Sequence, residues 1–491
     1  MSRSFLCLLC CVSCTAGVDP DAGGLPLVSE LAISKVTLNQ AVEASLSASN
    51  PGVPIVAGRG GLVRVSVKPG ASWQPRDVVA ELALARGDGE LPPMHARQQV
   101  TGESEDGDLS TTFDFELPDE LVSEDLSLSV SLREASGVRH GRARSSAVFP
   151  VRGRAAVGAE RVGALRMVLV PIRYAADGSK RLPDLGAAQI ALHREALRSR
   201  YPVPDVELRV REPIEFGGTV DANGEGWGEV LQHLLARRSQ DRAEGLADAN
   251  EYFYGVIAPA PGFAEYCGQS GSCLLGLSAP DSDADSEFAR GSVGLGFAGP
   301  DFAETLAHEM GHAHGRLHAP CAPFGFIQNV DPSYPYPAGE IGTWGYDRAT
   351  QSLLPPSSSY DLMGYCRPAW VSDYTWRGLF ERIAQVNAAA AGGGGGGGAQ
   401  AMAMVAVDGH GSLRRGPAVN LFERPRGLPF EVEVFAANGG APRRERAAFF
   451  AYSHLPGGFL LIPPPRPGDR VLGVGGAKIG WVAGENPLLS R

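Results

Sequence analysis

The residues best suited to chemistry lie in one short stretch, residues 308–318, which holds four of the ten histidines in the chain. His308 and His312 are four positions apart, so on a helix their imidazoles share one face and can hold two corners of a tetrahedral zinc site. Glu309 can reach a water that the metal activates, where a general base is required. Gly315 permits the left-handed turn that ends the helix and returns His318 as a third nitrogen ligand. Three protein ligands leave a fourth position for water, which is the arrangement of a catalytic zinc.

The extended spacing H-E-x-x-H-x-x-G-x-x-H distinguishes this stretch from a chance match. A bare HExxH is often an ordinary surface helix with solvated histidines, but that alternative does not explain the glycine and the third histidine. His314 falls outside the pattern and is expected to face solvent or to support the ligands. The sequence therefore predicts one catalytic Zn²⁺ held by His308, His312 and His318.

A second motif downstream strengthens this interpretation. Residues 360–366 read Tyr-Asp-Leu-Met-Gly-Tyr-Cys, and together with the histidine motif they resemble the metzincin zinc endopeptidases. The resemblance covers a few per cent of the chain, and the loop and helix after Met363 are also similar to pappalysin-like enzymes. It implies that Met363 forms an apolar floor beneath the imidazoles and that Tyr365 lies near the zinc. It also implies that the strand at Ser292–Phe297, just before the zinc helix, is a sheet edge that pairs with an extended substrate.

Composition and charge exclude several other classes of function. The chain has 491 residues, a length that suggests about three domains. Its hydrophobic content of 44% and charged content of 20% are typical of a globular protein. The net charge of −11 argues against nucleic acid or an anionic membrane as the main partner.

The N-terminus is typical of an exported protein. Residues 1–14 resemble a bacterial lipoprotein signal, with a short apolar core that ends at Cys14 as the candidate lipidated residue. Cys11 stands where such signals usually carry leucine, and a cleaved secretory signal with incidental cysteines is the alternative. Both readings predict export, either to the outer membrane or cell surface as a lipoprotein or as a secreted protein.

Four cysteines remain after the signal, an even number in an oxidising compartment, so two disulfides are expected. Three pairings are possible. We favour Cys267–Cys273, which closes a short glycine-rich loop, together with Cys321–Cys366. The second bridge would tie the segment after His318 to residues 360–366, which we call the methionine turn.

The pattern of apolar residues divides the chain into segments. Period-2 alternation in its first third predicts an antiparallel sandwich, and strands alternating with helices follow it. The zinc helix is expected from about Phe302, with Asp301 as its N-cap. The predicted fold class is an α+β metzincin-like catalytic domain, with a mixed sheet and helices, flanked by an N-terminal β-sandwich and a small C-terminal β module. The predicted segments are a signal (1–14), a tether (15–27), an immunoglobulin-like β-sandwich (28–155), a zinc peptidase domain (160–390), a glycine-rich linker (391–400) and a small β domain (401–491).

Together with the resemblance to the metzincins, these residues predict a zinc-dependent endopeptidase of extracellular proteins, and the resemblance alone implies that glycoproteins could be among its substrates. Glu309 would take a proton from the attacking water and return it to the leaving amine, while zinc and Tyr365 stabilise the oxyanion. The alternative is a cell-surface binding lipoprotein in which the β modules bind a ligand and the zinc domain is vestigial. We expect a monomer with a protein or glycoprotein substrate and no nucleic acid, which meets a membrane only through a lipid at Cys14.

Overall fold

The computed structural model describes residues 24–48, 51–142, 145–268, 273–323, 325, 327–392 and 399–483. The predicted signal with Cys14, most of the tether and most of the glycine-rich linker lie outside this set. The chain divides into two compact units, an N-terminal unit of residues 1–40 and 44–160 and a C-terminal unit of residues 41–43 and 161–491. Among the described residues, no helix is long and apolar enough to cross a membrane.

Strands dominate the N-terminal unit and its border. They are β1 (Leu31–Asn39), β2 (Glu43–Ser45), β3 (Ile55–Val56), β4 (Gly61–Pro69), β5 (Arg76–Arg86), β6 (Gly89–Glu90), β7 (Met94–Val100), β8 (Phe113–Leu117), β9 (Leu126–Glu134), β10 (Val148–Phe149), β11 (Ala155–Ala156) and β12 (Ala159–Glu160). Short 3₁₀ turns lie at Leu109–Thr111, Asp119–Leu121 and Ser145–Ala147.

These strands form two larger sheets and one small pair. One sheet has the order β2-β1-β4-β8, and the other has the order β10-β9-β5-β6, with β7 also on β5 and β11 on β9. β3 pairs with β12. Strand β9 shows the structural basis of the alternation between apolar and polar residues. Every second residue from Leu126 to Leu132 is buried, while the serines between them are partly exposed.

The first part of the C-terminal unit alternates strands with helices. Its elements are β13 (Leu165–Tyr174), α1 (Ala187–Arg200), β14 (Val206–Val210), β15 (Ile214–Phe216), α2 (Trp227–Ala243), β16 (Glu251–Ile257), α3 (Phe263–Cys267), β17 (Gly276–Ser278), β18 (Gly291–Leu295), α4 (Pro300–Ala313), β19 (Gly345–Asp347), β20 (Ser352–Leu354), β21 (Tyr360–Asp361), β22 (Ala369–Trp370) and α5 (Asp373–Ala391).

The main sheet of this part has the order β14-β13-β16-β18-β17, with β15 also on β13. All its pairings are parallel except that of β17, which runs antiparallel to β18 at the edge. Every residue of β16 is buried, as expected for a strand covered on both faces. The edge beside the zinc motif is therefore β17, whereas the sequence analysis assigned that position to the strand at Ser292–Phe297, which is the interior strand β18.

A seven-stranded antiparallel sheet completes the C-terminal unit. Its strands are β23 (Gln400–Asp408), β24 (Leu413–Leu421), β25 (Leu428–Ala436), β26 (Arg443–Ala451), β27 (Gly457–Ile462), β28 (Asp469–Val474) and β29 (Ala477–Gly480), in the order β24-β23-β27-β26-β25-β28-β29. One hydrophobic core joins this sheet to α2, since Trp227 and Leu231 belong to the same buried cluster as Met404, Phe450 and Phe459.

The predicted fold class, an α+β metzincin-like domain between two β modules, is wrong. Strands make up 37% of the described residues and helices 18%, so this part of the chain is mainly β. The C-terminal sheet is also no small appended module, because it shares its core with α2. The prediction gave most weight to the helices around the zinc motif, which are a minor part of the chain.

Two disulfides connect segments of the C-terminal unit. They are Cys267–Cys273 and Cys321–Cys366, which are the two pairings favoured from the sequence. Disulfides persist in oxidising compartments, so they indicate an extracellular or periplasmic protein.

Candidate metal centre

Helix α4 places the first two histidines of the motif side by side. The helix begins at Pro300, with Gly299 rather than the predicted Asp301 at the N-cap position. Proline suits the first helical position because its missing N–H would have no partner there. The ring centroids of His308 and His312 are 4.8 Å apart, the approach expected of positions i and i+4.

The glycine turn after α4 brings the third histidine to the same place. Gly315 has φ +80°, and a Cβ on it would lie 2.7 Å from the carbonyl oxygen of Asp281. Both the backbone conformation and the lack of space favour glycine here. The ring centroid of His318 is then 5.4 Å from that of His308 and 4.5 Å from that of His312.

The Nδ1 atom of each motif histidine is fixed by a backbone carbonyl. His308 Nδ1–H donates to Leu362 O at 2.6 Å, and His312 Nδ1–H donates to Arg316 O at 2.7 Å. His318 Nδ1–H donates to Gln328 O at 2.5 Å. Because a carbonyl can only accept, the proton of each neutral ring lies on Nδ1 and the lone pair lies on Nε2.

The free Nε2 lone pairs then face one another. The Nε2 atoms of His312 and His318 are 3.1 Å apart, and His308 Nε2 is buried with no hydrogen-bond partner in the described structure. Two lone pairs at that distance repel unless a cation lies between them. The edge of a tetrahedral zinc site with Zn–N bonds of about 2.0–2.1 Å is about 3.3 Å long, so the observed spacing fits that metal.

A fourth histidine, His454, reaches the same centre from the turn between β26 and β27. Its ring centroid is 5.3 Å from that of His308, 5.0 Å from that of His312 and 4.7 Å from that of His318. One nitrogen from each of the four histidines lies within 4.8 Å of the others, so this group could hold a metal ion. The sequence analysis did not identify His454 as a candidate ligand.

Burial keeps these imidazoles uncharged. It lowers the pKa of His308, His318 and His454 to about 3 and lowers the pKa of His312 well below its usual value. A metal ligand must offer a lone pair, so neutral rings at physiological pH are ready to bind without first losing a proton. Neutral nitrogen donors fixed by carbonyls through their other nitrogen fit a zinc ion.

Glu309 is the carboxylate of this centre. Its side chain is 2% exposed, and its Oε2 accepts a hydrogen bond from Ser278 Oγ at 2.8 Å. Burial raises its pKa to about 7, a value that suits a proton-transferring group at neutral pH. Gly276 leaves room for this side chain, because a Cβ there would lie 2.5 Å from Glu309 Cγ.

The methionine turn closes the centre on the side of α4. Met363 is buried, and its sulfur packs so close to Gly311 that a Cβ on that glycine would lie 2.3 Å from it. Buried Asp361 holds the turn, because it accepts from the amides of Met363 at 2.7 Å and Ser372 at 3.0 Å. Ser372 in turn caps helix α5 through Thr375 N.

Tyr365 lies beside two of the four histidines. Its hydroxyl is 3.3 Å from His318 Nε2 and 2.7 Å from His454 Nδ1. The disulfide between Cys321 and Cys366 is adjacent, and the amide of Tyr365 donates to Cys321 O at 2.9 Å. The bridge therefore ties this tyrosine to the chain that follows His318.

His314 is buried with 3% of its surface exposed, which contradicts the first of its two expected positions, facing solvent. Its ring stacks on Tyr252 with centroids 4.0 Å apart, and its Nδ1–H donates to Met310 O at 2.6 Å. The ring packs behind the helix rather than joining the four that converge.

Comparison with known proteins adds little to this geometry. No family model matches the chain, and no curated protein matches it. Among solved structures, a calcium-binding mutant of Bacteroides uniformis beta-glucuronidase 2 is 11% identical, with a TM-score of 0.13 over 49% of this chain and 25% of that one. A Paenibacillus sp. cycloisomaltooligosaccharide glucanotransferase complexed with cycloisomaltoheptaose is 13% identical, with a TM-score of 0.14 over 51% of this chain and 31% of that one. Such low TM-scores define neither the fold nor the function.

Proposed function

We propose that this protein is a zinc-dependent endopeptidase of the metzincin type in its site chemistry. The observation that carries the proposal is the convergence of three neutral imidazole Nε2 atoms beside the buried carboxyl of Glu309. The spacing of His308, His312, Gly315 and His318 together with the downstream Met363 supports a peptidase over other zinc hydrolases.

His308, His312 and His318 would hold the zinc ion through Nε2. When bound, the ion supplies a Lewis acid that polarises a scissile carbonyl and makes water more acidic. The three carbonyl partners at Nδ1 keep the lone pairs directed at the ion and raise the basicity of the rings.

Glu309 would carry the proton during hydrolysis. The carboxyl accepts a proton from the attacking water and donates it to the leaving amine, which balances the reaction without another base. Ser278 fixes the carboxyl through its Oε2 at 2.8 Å and leaves Oε1 toward the imidazoles. Tyr365, with its hydroxyl near His318, would donate a hydrogen bond to the developing oxyanion.

The substrate would be a protein or glycoprotein outside the cytosol. The two disulfides support an oxidising compartment for this chain. A peptide could add to the sheet at edge strand β17, which ends at the serine that holds Glu309.

The test compares two glutamate variants on the same helix. Glu309→Gln should bind zinc with unchanged stoichiometry but lower casein cleavage by about 10²–10⁴-fold. Glu304→Gln is the matched control, because Glu304 pairs with half-buried Arg200 and exposed Arg367 instead of contacting the four histidines, and it should keep full activity. The casein cleavage of both variants is measured in the native chain with and without a chelator. It is measured again in a His454→Ala background, because His454 is a fourth potential ligand in the same centre. Cleavage that survives both Glu309→Gln and the chelator would refute the peptidase assignment.

A further inference from the structure

The C-terminal sheet contributes more than packing to this centre. His454 brings a fourth imidazole to a place where catalytic zinc sites have three protein ligands and an open position. The four ring centroids are spaced between 4.5 and 5.4 Å, so His454 is as close to each motif histidine as they are to one another.

His454 resembles the other three in having an oxygen partner at Nδ1 and no hydrogen bond at Nε2 within the described structure. The partner at Nδ1 is the hydroxyl of Tyr365 at 2.7 Å, which can donate or accept, so unlike a carbonyl it does not fix the tautomer of the ring. Glu309 Oε1 lies 2.8 Å from Nε2. That distance requires a proton or a cation beside the two atoms, and a metal ion bound at Nε2 would supply the cation.

The segment that carries this histidine, Tyr452 to His454, is firmly attached. We call it the capping segment. Tyr452 is 5% exposed, and its hydroxyl accepts from Gln232 at 3.0 Å. Asn329 Nδ2 donates to the carbonyls of Tyr452 at 2.8 Å and Ser453 at 3.0 Å. The backbone carbonyl of Asn329 also accepts a hydrogen bond from the amide of His318 at 3.0 Å. Asn329 therefore holds both the capping segment and the third ligand.

The capping segment also uses the sheet edge. Ser453 N donates to Ser278 O at 2.8 Å, and Ser278 N donates to Ser453 Oγ at 3.0 Å. Ser278 ends the edge strand β17, where an extended substrate would make the same backbone bonds. A peptide therefore cannot pair with Ser278 while Ser453 remains in place.

We infer that His454 is a fourth zinc ligand and that the chain, as folded here, holds its metal in a closed, latent site from which the capping segment must withdraw before a peptide can enter. The latency of the site rests on the proposed peptidase function, but the binding of zinc by His454 does not depend on any activity. Withdrawal frees one coordination position and the edge of β17 together, because adjacent residues of one turn occupy them.

The test loads the full-length chain with Zn²⁺ or Co²⁺ and changes only His454. His454→Ala and the similarly sized His454→Gln should lower zinc affinity by about 10-fold or more, measured by competition with a chromophoric chelator. Their Co²⁺ absorption should change when imidazole is added, whereas the native spectrum should not, since ligand number and geometry determine it. The control His410→Ala removes an exposed histidine from the turn between β23 and β24 and should match the native chain. Circular dichroism and the melting temperature report folding, and His454→Gln replaces His454→Ala if the latter unfolds.

The outcomes separate this inference from the proposed function. Altered affinity and spectra with faster casein cleavage support both. Altered affinity and spectra without cleavage in any variant support the fourth ligand and refute the peptidase. Native affinity in both His454 variants, with a native Co²⁺ spectrum that already responds to imidazole, overturns the closed site whatever the chain cleaves.

Discussion

The turn at Gly315 offers a sharp test of how the third ligand is positioned. Gly315→Ala forces an alanine into φ +80° and places a Cβ 2.7 Å from Asp281 O and 3.1 Å from Ser282 Cα. The left-handed conformation costs about 1–2 kcal/mol for a residue with a Cβ. Contact with backbone that cannot easily move adds about 1–3 kcal/mol. We therefore expect unfolding free energy to fall by about 3 kcal/mol.

A matched control isolates the contact from the conformation. Gly178 has φ +76° with nothing within 4 Å of a Cβ placed on it, so Gly178→Ala should cost only about 1 kcal/mol. The variants are compared by urea unfolding of the zinc-free chain.

Zinc binding should separate the same two variants. The residue after Gly315 holds His312 through its carbonyl at 2.7 Å, and His318 lies three positions beyond the turn. A displaced turn would loosen two ligands, so we expect about 10-fold weaker zinc binding in Gly315→Ala and none of this loss in Gly178→Ala. Equal unfolding costs and equal zinc affinities in the two variants would show that the reasoning about this turn is wrong.

Three further predictions concern other parts of the chain. His314→Ala should lower the unfolding free energy by about 2–4 kcal/mol, because the ring stacks in the core. It should still bind one zinc per chain, whereas His318→Ala should lose the zinc, and zinc analysis of the dialysed proteins measures both. Replacing Cys321 and Cys366 by serine opens a closure of 45 residues and should cost about 4 kcal/mol, visible as a lower urea midpoint; an unchanged midpoint would contradict it. Burial raises the pKa of Asp114 to about 6 from its usual 3.8, because the neutral carboxyl is favoured in the folded chain. The stability that this neutral carboxyl contributes is fully present below pH 4 and is lost as pH rises through 6. The unfolding free energy of Asp114→Asn minus that of the native chain should therefore be about 2 kcal/mol larger at pH 7 than at pH 4, after allowance for partial exposure. Urea unfolding at the two pH values measures it, and a difference between the two proteins that does not change with pH would refute the prediction.

Local spacing was enough to identify the three histidines that the 308–318 motif contributes to the centre. Positions i and i+4 on a helix, followed by a glycine that can turn, determine where His308, His312 and His318 lie relative to one another. The pattern does not depend on how the rest of the chain folds. Of the two favoured disulfide pairings, Cys267–Cys273 followed from the short loop that it closes, and Cys321–Cys366 followed from the proximity of the two motifs.

His454 could not be found in this way. It lies in a turn between two strands, and no spacing links it to the motif. Its position depends on the core that α2 shares with the C-terminal sheet, a contact between segments far apart in sequence. The same long-range packing made the predicted small module wrong. The edge strand β17 was missed for another reason, because a strand of only three residues carries too little alternation to be recognised.

The shared core between α2 and the last sheet limits how the site could ever be opened. Removing everything after the seven glycines at 392–398 would strip Met404, Phe450 and Phe459 from Trp227 and leave apolar surface on the helix. Such a shortened chain should aggregate rather than become active. A processing protease that acted as the natural trigger would have to nick the short loop between β26 and β27 and leave the strands on both sides in place.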